Sequence, residues 1–221
     1  MTGVDAGPPG RPRVRMTAAQ RRQQLLDVGR ELFAARGYDA TSIEEIAARA
    51  DVSKPVVYEH FGGKEGLYAV VVDREMQRLL DRFGAALSAD GRPRELLERA
   101  ALALLGYVED ESDGFRVLTR GSPATGTGGT FSSLIGEVAR QVEHVLGRQF
   151  RARGYEPALA GLYSQALVGM VALVGQWWLD TPSPDKREVA AHLVNLAYNG
   201  LSALEHRPGL SAAVLLVVPP G

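Results

Sequence analysis

The chain of 221 residues contains no cysteine, which excludes disulfides, thiolate metal sites and a cysteine nucleophile together. Its 4 histidines, His60, His144, His192 and His206, are scattered, and the neighbours Glu143 and His144 point different ways on any helix. HExxH and GxSxG are absent, as are paired acids at a useful spacing, so no catalytic residue, metal site or cofactor is expected and the chain does not read as an enzyme. The stretch GSPATGTGGT has glycines but no Gly-Lys-Ser/Thr, and reads as a loop without a phosphate cradle. No run of about 18 apolar residues stands out, so no membrane partner is expected. The N-terminal VDAGPPGRPRVR is polar and lacks the apolar centre of a signal peptide, which makes the expected location cytoplasmic. A positive surplus is missing too: the formal net charge is −1. A generally basic surface therefore gives no support to nucleic-acid binding, and any such role has to come from local placement.

What is present is helical. Apolar residues make up 45% of the chain, enough for one or two domains with a real core, and no segment reads as a confident strand, so the fold class is all-α. Residues 1–15 are Pro/Gly/Arg-rich with little to bury and read as a disordered basic arm. Arg11, Arg13, Arg15, Arg21 and Arg22 follow one another without an acid, a pattern that serves a solvated tail or a strand-tracking arm. Thr17 to Arg36 is amphipathic through Leu25, Val28 and Leu32, and stops at Gly37.

The segment TSIEEIAARADVSKPVVYEHFGGK, residues 41–64, reads as two short helices around a tight turn, followed by the start of a third. Thr41 with Glu44, and Ser42 with Glu45, are alternative capping pairs, and Ile43, Ile46, Ala47 and Ala50 make a small buried face. Asp51-Val52-Ser53 is the turn, with Ser53 as a cap and Pro55 in the first turn of the next helix. In that helix, Lys54 to His60, Val57 and the following Phe61 point inward, leaving Lys54, Val56, Tyr58 and His60 outside. A cation and a phenol suit phosphate oxygens, while Pro55 and Val56 suit thymine methyls. Gly62-Gly63-Lys64 opens a helix whose free N–H groups and Lys64 suit one more phosphate. Two of the chain's 3 lysines fall in this segment.

These residues resemble a known family. The run RELFAARGYDATSIEEIAARADVSKPVVYEHFGGKEGLY is similar to the N-terminal DNA-binding domain of TetR-family transcriptional regulators, over roughly the first third of the chain. The resemblance implies a homodimer that places two reading heads on an inverted-repeat operator in double-stranded DNA. It implies phosphate contacts by Tyr58, His60 and Lys64, backbone contacts or caps at Ser42 and Ser53, and Lys54, Pro55 and Val56 nearest the bases. It also implies a second domain with a small-molecule effector cavity and a dimer surface on the last two long helices.

The expected division is an N-terminal helix-turn-helix three-helix domain at 16–63 and a C-terminal helical ligand-binding and dimerisation domain at 64–207, of which 64–87 is the connecting helix. Further helices are expected from Pro93 to about Tyr107, Phe131 to Arg153, Glu156 to Leu179 and Pro184 to Glu205, with Phe115 to Arg120 short or irregular. Residues 208–221 form an apolar tail of unassigned role. Ala166, Gly169, Leu173, Leu193, Leu196, Gly200 and Leu204 are the expected dimerisation set; the alternative is that they fill the monomer's own core. Tyr107, Phe115, Phe131, Met170, Trp177 and Trp178 are the candidate ligand-binding aromatics and methionine, with core packing as their alternative and Asp110, Gln176 or Tyr163 as a polar handle. Such a lining favours a hydrophobic or amphipathic ligand. The combined reading is a repressor released from DNA by that ligand; the rival is a helical interaction module that keeps the helix-turn-helix only as structure.

Overall fold

The computed structural model describes residues 16–88, 90–120 and 130–209. The N-terminal arm, most of the GSPATGTGGT loop and the tail from 210 onward lie outside the described residues. The described elements are helical: α1 (Ala18–Arg36), α2 (Ile43–Arg49), α3 (Lys54–Phe61), α4 (Lys64–Ser88), α5 (Pro93–Asp110), α6 (Ser112–Arg120), α7 (Thr130–Ala152), a 3-10 turn (Pro157–Leu159), α8 (Ala160–Asp180) and α9 (Lys186–Ser202).

Local chemistry sets most boundaries. Thr17 and Gln20 form a reciprocal capping box at α1, and Gly37 ends it with an N–H to the Phe33 carbonyl. α9 starts two residues later than Pro184, because the Asp185 carboxylate takes the N–H groups of Arg187 and Glu188 at 2.8 and 3.0 Å. The acidic stretch after α5 is not a loop. α5 continues through Asp110 and α6 begins at Ser112, a full helix where the sequence left irregular structure open. Its Phe115, Val117 and Leu118 are buried, and that packing stabilises a helix too short to persist alone.

α1, α2 and α3 form a small head around Leu25, Phe33, Ile46, Val57 and Leu67, each at most 1% exposed. α4 belongs to this head at one end and to the body at the other, and one apolar cluster runs unbroken from Leu25 to Val194. A second, smaller cluster closes the far end of the body around Leu146, Phe150 and Ala160.

Within Pro157–Asp180, an 18-residue window with a mean hydropathy of 1.7 is long and apolar enough to cross a membrane by length and composition alone, which corrects the expectation that no such run stands out. It packs along α7 and against α5, and its buried face is made by Ala160, Ser164, Val168, Ala172, Gly175 and Trp178.

Candidate nucleic-acid interface

The reading head is held by short-range chemistry. Ser42, not Thr41, caps α2, accepting the Glu45 N–H at 3.1 Å. Thr41 is buried instead, and its hydroxyl donates to the Gly37 carbonyl at 2.8 Å. Ser53 occupies the cap position of α3, but its side chain makes no capping bond, so the expectation of a Ser53 hydroxyl cap is not met. α3 ends at Gly62, whose N–H bonds to the Tyr58 carbonyl at 2.8 Å. The approach of α4 to α3 is close enough to require glycine at 66, where a Cβ would sit 1.9 Å from the Phe61 carbonyl oxygen.

α3 buries Val57 completely and leaves Ser53, Lys54, Pro55 and Tyr58 exposed, with Val56 and His60 half-buried. Tyr58, at 54% exposed, stands out from the head with its hydroxyl free to donate or accept. Lys54 lies 2.5 Å from the Glu44 carboxylate, and this hydrogen bond and charge hold the Glu44 carboxyl below the ordinary carboxylate range. Both side chains are exposed, so the pair is easily exchanged for another anion.

Lys64 sits differently from a free phosphate contact. Its ammonium donates to the carbonyls of Tyr38 and Thr41, both at 3.0 Å, and lies 4.2 Å from the centre of the Tyr38 ring. Two of the three donors of this ammonium fasten α4 to the turn after α1, leaving one for an outside partner.

In the body, a narrow cavity of about 70 Å³ is bounded by α4, α5, α6, α7, α8 and α9. Phe115, Phe131 and Met170 line it, as expected from the sequence. The other three candidates do not. Tyr107 is wholly buried in the core beneath the cavity, its hydroxyl on Glu75 at 2.8 Å. Trp178 is turned away and donates its indole N–H to the Pro184 carbonyl at 2.8 Å. Trp177, diverging from its neighbour on the same helix, is 53% exposed. None of Asp110, Gln176 and Tyr163 lines the cavity either; Asp110 pairs with Arg82 at 2.9 Å on the surface. A wider space of about 340 Å³ adjoins the first, sharing Leu97, Ala100, Val142 and Leu167, with Gln149, Arg153 and Ser202 on its polar side.

Comparison with known proteins decides the family. Residues 25–71 match the family model for bacterial regulatory proteins of the tetR family, and residues 93–200 match the tetracyclin repressor-like C-terminal domain. Over 197 residues, 85% of this chain and 86% of the relative, the sequence is 32% identical to the HTH-type transcriptional activator FasR of Mycolicibacterium smegmatis. The chain belongs to the TetR family of transcriptional regulators. A TetR-like regulator from Rhodococcus sp. RHA1 superimposes with a TM-score of 0.69 at 30% identity, covering 86% of this chain and all of that one. The HTH-type transcriptional repressor ComR of Escherichia coli is 35% identical over 82 residues, 37% of each chain. This TetR-family chain is therefore a DNA-binding regulator with an all-helical fold, and its relatives are regulators, not enzymes.

Within this regulator, the expected dimerisation residues divide into two groups. Leu173 and Leu196 are 64% and 65% exposed, and with Leu162 at 64% and Trp177 they put large apolar groups on the outside of α8 and α9. Ala166 and Gly200 are exposed as well, and Gly169 half-exposed. Leu193 is corrected: it is buried and lines the cavity of its own body. Leu204 is half-buried in the far apolar cluster.

Sequence reasoning missed Glu75, the sole buried acid or base among the described residues, at 1% exposed. A glutamate in the middle of an amphipathic helix gives no signal of burial, because its partners lie far away in the sequence.

Proposed function

We propose that this TetR-family regulator acts as a homodimer on an inverted-repeat operator, and that a small hydrophobic or amphipathic effector in the body cavity releases it. One observation carries the effector reading: the cavity walls include Leu79 and Phe83 of α4, the helix that also anchors the head through Leu67. An occupant pressing on α4 acts on the same rigid element that sets the head's position. The lining is almost wholly apolar, which suits a hydrophobic or amphipathic ligand. The wider adjoining space, with Gln149 and Arg153, provides room for a polar end.

Dimerisation is supported by the exposed stripe Leu162, Leu173, Trp177 and Leu196, whose association with a second copy would remove a large apolar patch from water. In DNA contact, Ser42, Ser53, Tyr58, His60 and the third donor of Lys64 serve phosphates, Lys54 serves a phosphate beside the bases, and Pro55 and Val56 face the bases. Two heads about 34–36 Å apart would meet successive major grooves. A regulator placed over a promoter acts as a repressor, and we assign that sign here. Among its relatives both signs occur, FasR being named an activator and ComR a repressor.

Fluorescence anisotropy on the DNA upstream of the protein's own gene, backed by a random-duplex selection, tests the reading. Salt-dependent binding that weakens about 100-fold with a bound chain-like probe such as dodecanol corresponds to about 2.7 kcal/mol of coupling. Unchanged operator affinity with the probe bound rejects release. Failure of a folded dimer on every duplex selects the rival reading as a helical interaction module.

A further inference from the structure

Glu75 lies midway along α4 and gathers partners from α1, from α5 and from its own helix. Its Oε1 is 2.8 Å from Arg78 and 3.8 Å from Arg30, and its Oε2 accepts the Tyr107 hydroxyl at 2.8 Å. Glu111, at the α5–α6 junction, completes the group, 2.5 Å from Arg30 and 3.7 Å from Arg78. Two guanidinium groups thus face two carboxylates, and the formal charge of the four sums to zero. Glu75 is buried and the other three are half-buried, which is tolerable because each charge is answered. Burial lowers the Arg30 pKa, but its hydrogen bond to Glu111 and the charges of Glu75, Glu111 and Asp113 outweigh this and raise it. The Tyr107 hydroxyl is pushed far up, first by burial and then by the Glu75 carboxylate, so it stays a donor.

α6 connects this group to both ends of the molecule. Gly114 is pressed onto it: a Cβ there would lie 2.2 Å from Glu75 Oε2 and 2.7 Å from the Tyr107 hydroxyl oxygen. The next residue, Phe115, lines the cavity, with its ring 6.4 Å from that of Tyr107. At the far end of α6, Arg120 donates to the Ala34 carbonyl at 2.6 Å, in the last turn of α1. Arg30 itself belongs to α1, so the head is held at two points by groups that touch α6.

We propose that the Tyr107–Glu75–Arg30 chain is the joint through which cavity occupancy sets the head's position, with Tyr107 and Glu75 as positioning residues. The proposal rests on the effector reading above. Displacing Phe115 moves Gly114, which has no slack against Glu75. Arg30 and Arg78 each lie within 4 Å of both carboxylates, at 3.8 and 2.5 Å for Arg30 and at 2.8 and 3.7 Å for Arg78. The pairs can therefore exchange partners, and that gives the joint two discrete arrangements instead of a continuous deformation.

The experiment needs no natural effector. Ala172→Leu fills the cavity from its own wall, where Ala172 is buried. Operator affinity is measured on a duplex selected with wild-type protein, for Ala172→Leu, Tyr107→Phe and the double variant. Ala172→Leu is expected to change affinity about fivefold or more alone, and less than about twofold in the Tyr107→Phe background. An equal change in both backgrounds overturns the joint. Hydrogen exchange on full-length Tyr107→Phe and Glu75→Gln supplies a readout independent of the cavity. Amides of residues 29–36 and 112–120 should lose protection about tenfold together, while those of α9 keep theirs. Uniform loss across the chain marks a merely structural role and overturns the proposal, as does no loss. If Ala172→Leu leaves wild-type affinity unchanged, the effector reading fails, and the exchange pattern alone decides the joint.

Discussion

Lys64 and Tyr38 are bound twice over: the Lys64 ammonium donates to the Tyr38 carbonyl at 3.0 Å and lies 4.2 Å from the centre of the same residue's ring. Tyr38 in turn packs edge-on against Tyr68 at 4.9 Å and stacks with Phe33 at 6.1 Å. The first residue of α4 is thereby tied to the end of α1, and the orientation of α3 between them follows.

Lys64→Met should lower the stability of the folded protein by about 1–3 kcal/mol, because two buried-side carbonyls lose a charged donor and the ring loses its cation. Thermal unfolding reads this directly. If stability holds and only DNA affinity falls, Lys64 acts on phosphate and not as a fastener.

Tyr58→Ala and Lys54→Ala remove exposed groups from α3, so their melting temperatures should match the wild type while DNA affinity falls. For Lys54→Ala the slope of log affinity against log salt should shrink by about 1, the signature of one lost phosphate contact. An unchanged slope with reduced affinity would place Lys54 on a base edge, and unchanged affinity would remove it from the interface.

Leu173→Glu should convert the proposed dimer to monomer in analytical ultracentrifugation without unfolding it, since Leu173 is 64% exposed in the isolated chain. Operator affinity should fall with dimerisation, because one head retains only half of the contacts. Leu193→Ala should behave oppositely, destabilising the body by about 2–5 kcal/mol with the oligomeric state retained. A monomer from Leu193→Ala, or a dimer from Leu173→Glu, would move the interface elsewhere.

Gly66→Ala should be among the most damaging single substitutions in the head. A Cβ at 1.9 Å from the Phe61 carbonyl cannot be absorbed by a side-chain rotation, so α3 must shift relative to α4. Circular dichroism should show a lower midpoint, and DNA affinity should fall further than stability alone explains. Near-wild-type values for both would mean that the α3–α4 junction is looser than its geometry indicates.

The head was legible because its determinants are local. Ser42 and Glu45 are three residues apart, Gly62 follows the helix it ends, and Val57 is separated from Tyr58 by a single helical step. Periodicity and capping therefore placed α1 to α4 nearly to the residue and put Lys54 and Tyr58 on the outside, whereas Val56 and His60, expected there with them, are half-buried. Phe115, Phe131 and Met170 were also placed at the cavity, since apolar residues on facing helices converge on the body's centre.

Where the sequence was ambiguous, the deciding partner was distant. Tyr107 and the two tryptophans look alike to a composition argument. Tyr107 was withdrawn from the cavity by a carboxylate 32 residues earlier, and Trp178 was turned by the Pro184 carbonyl beyond its own helix. Leu193 and Leu196 are both apolar and lie on the same helix, yet one faces the cavity and the other solvent. Helical spacing gives their relative angle but not which side meets the body. The sequence by itself determined the family, through the resemblance of its first third, and the helical class and helix ends of the head, because caps, turns and period are properties of neighbouring residues. Only the tertiary structure decided that Glu75 is buried, what bounds the cavity and which face of α8 and α9 is left open, because each depends on which distant surfaces come into contact.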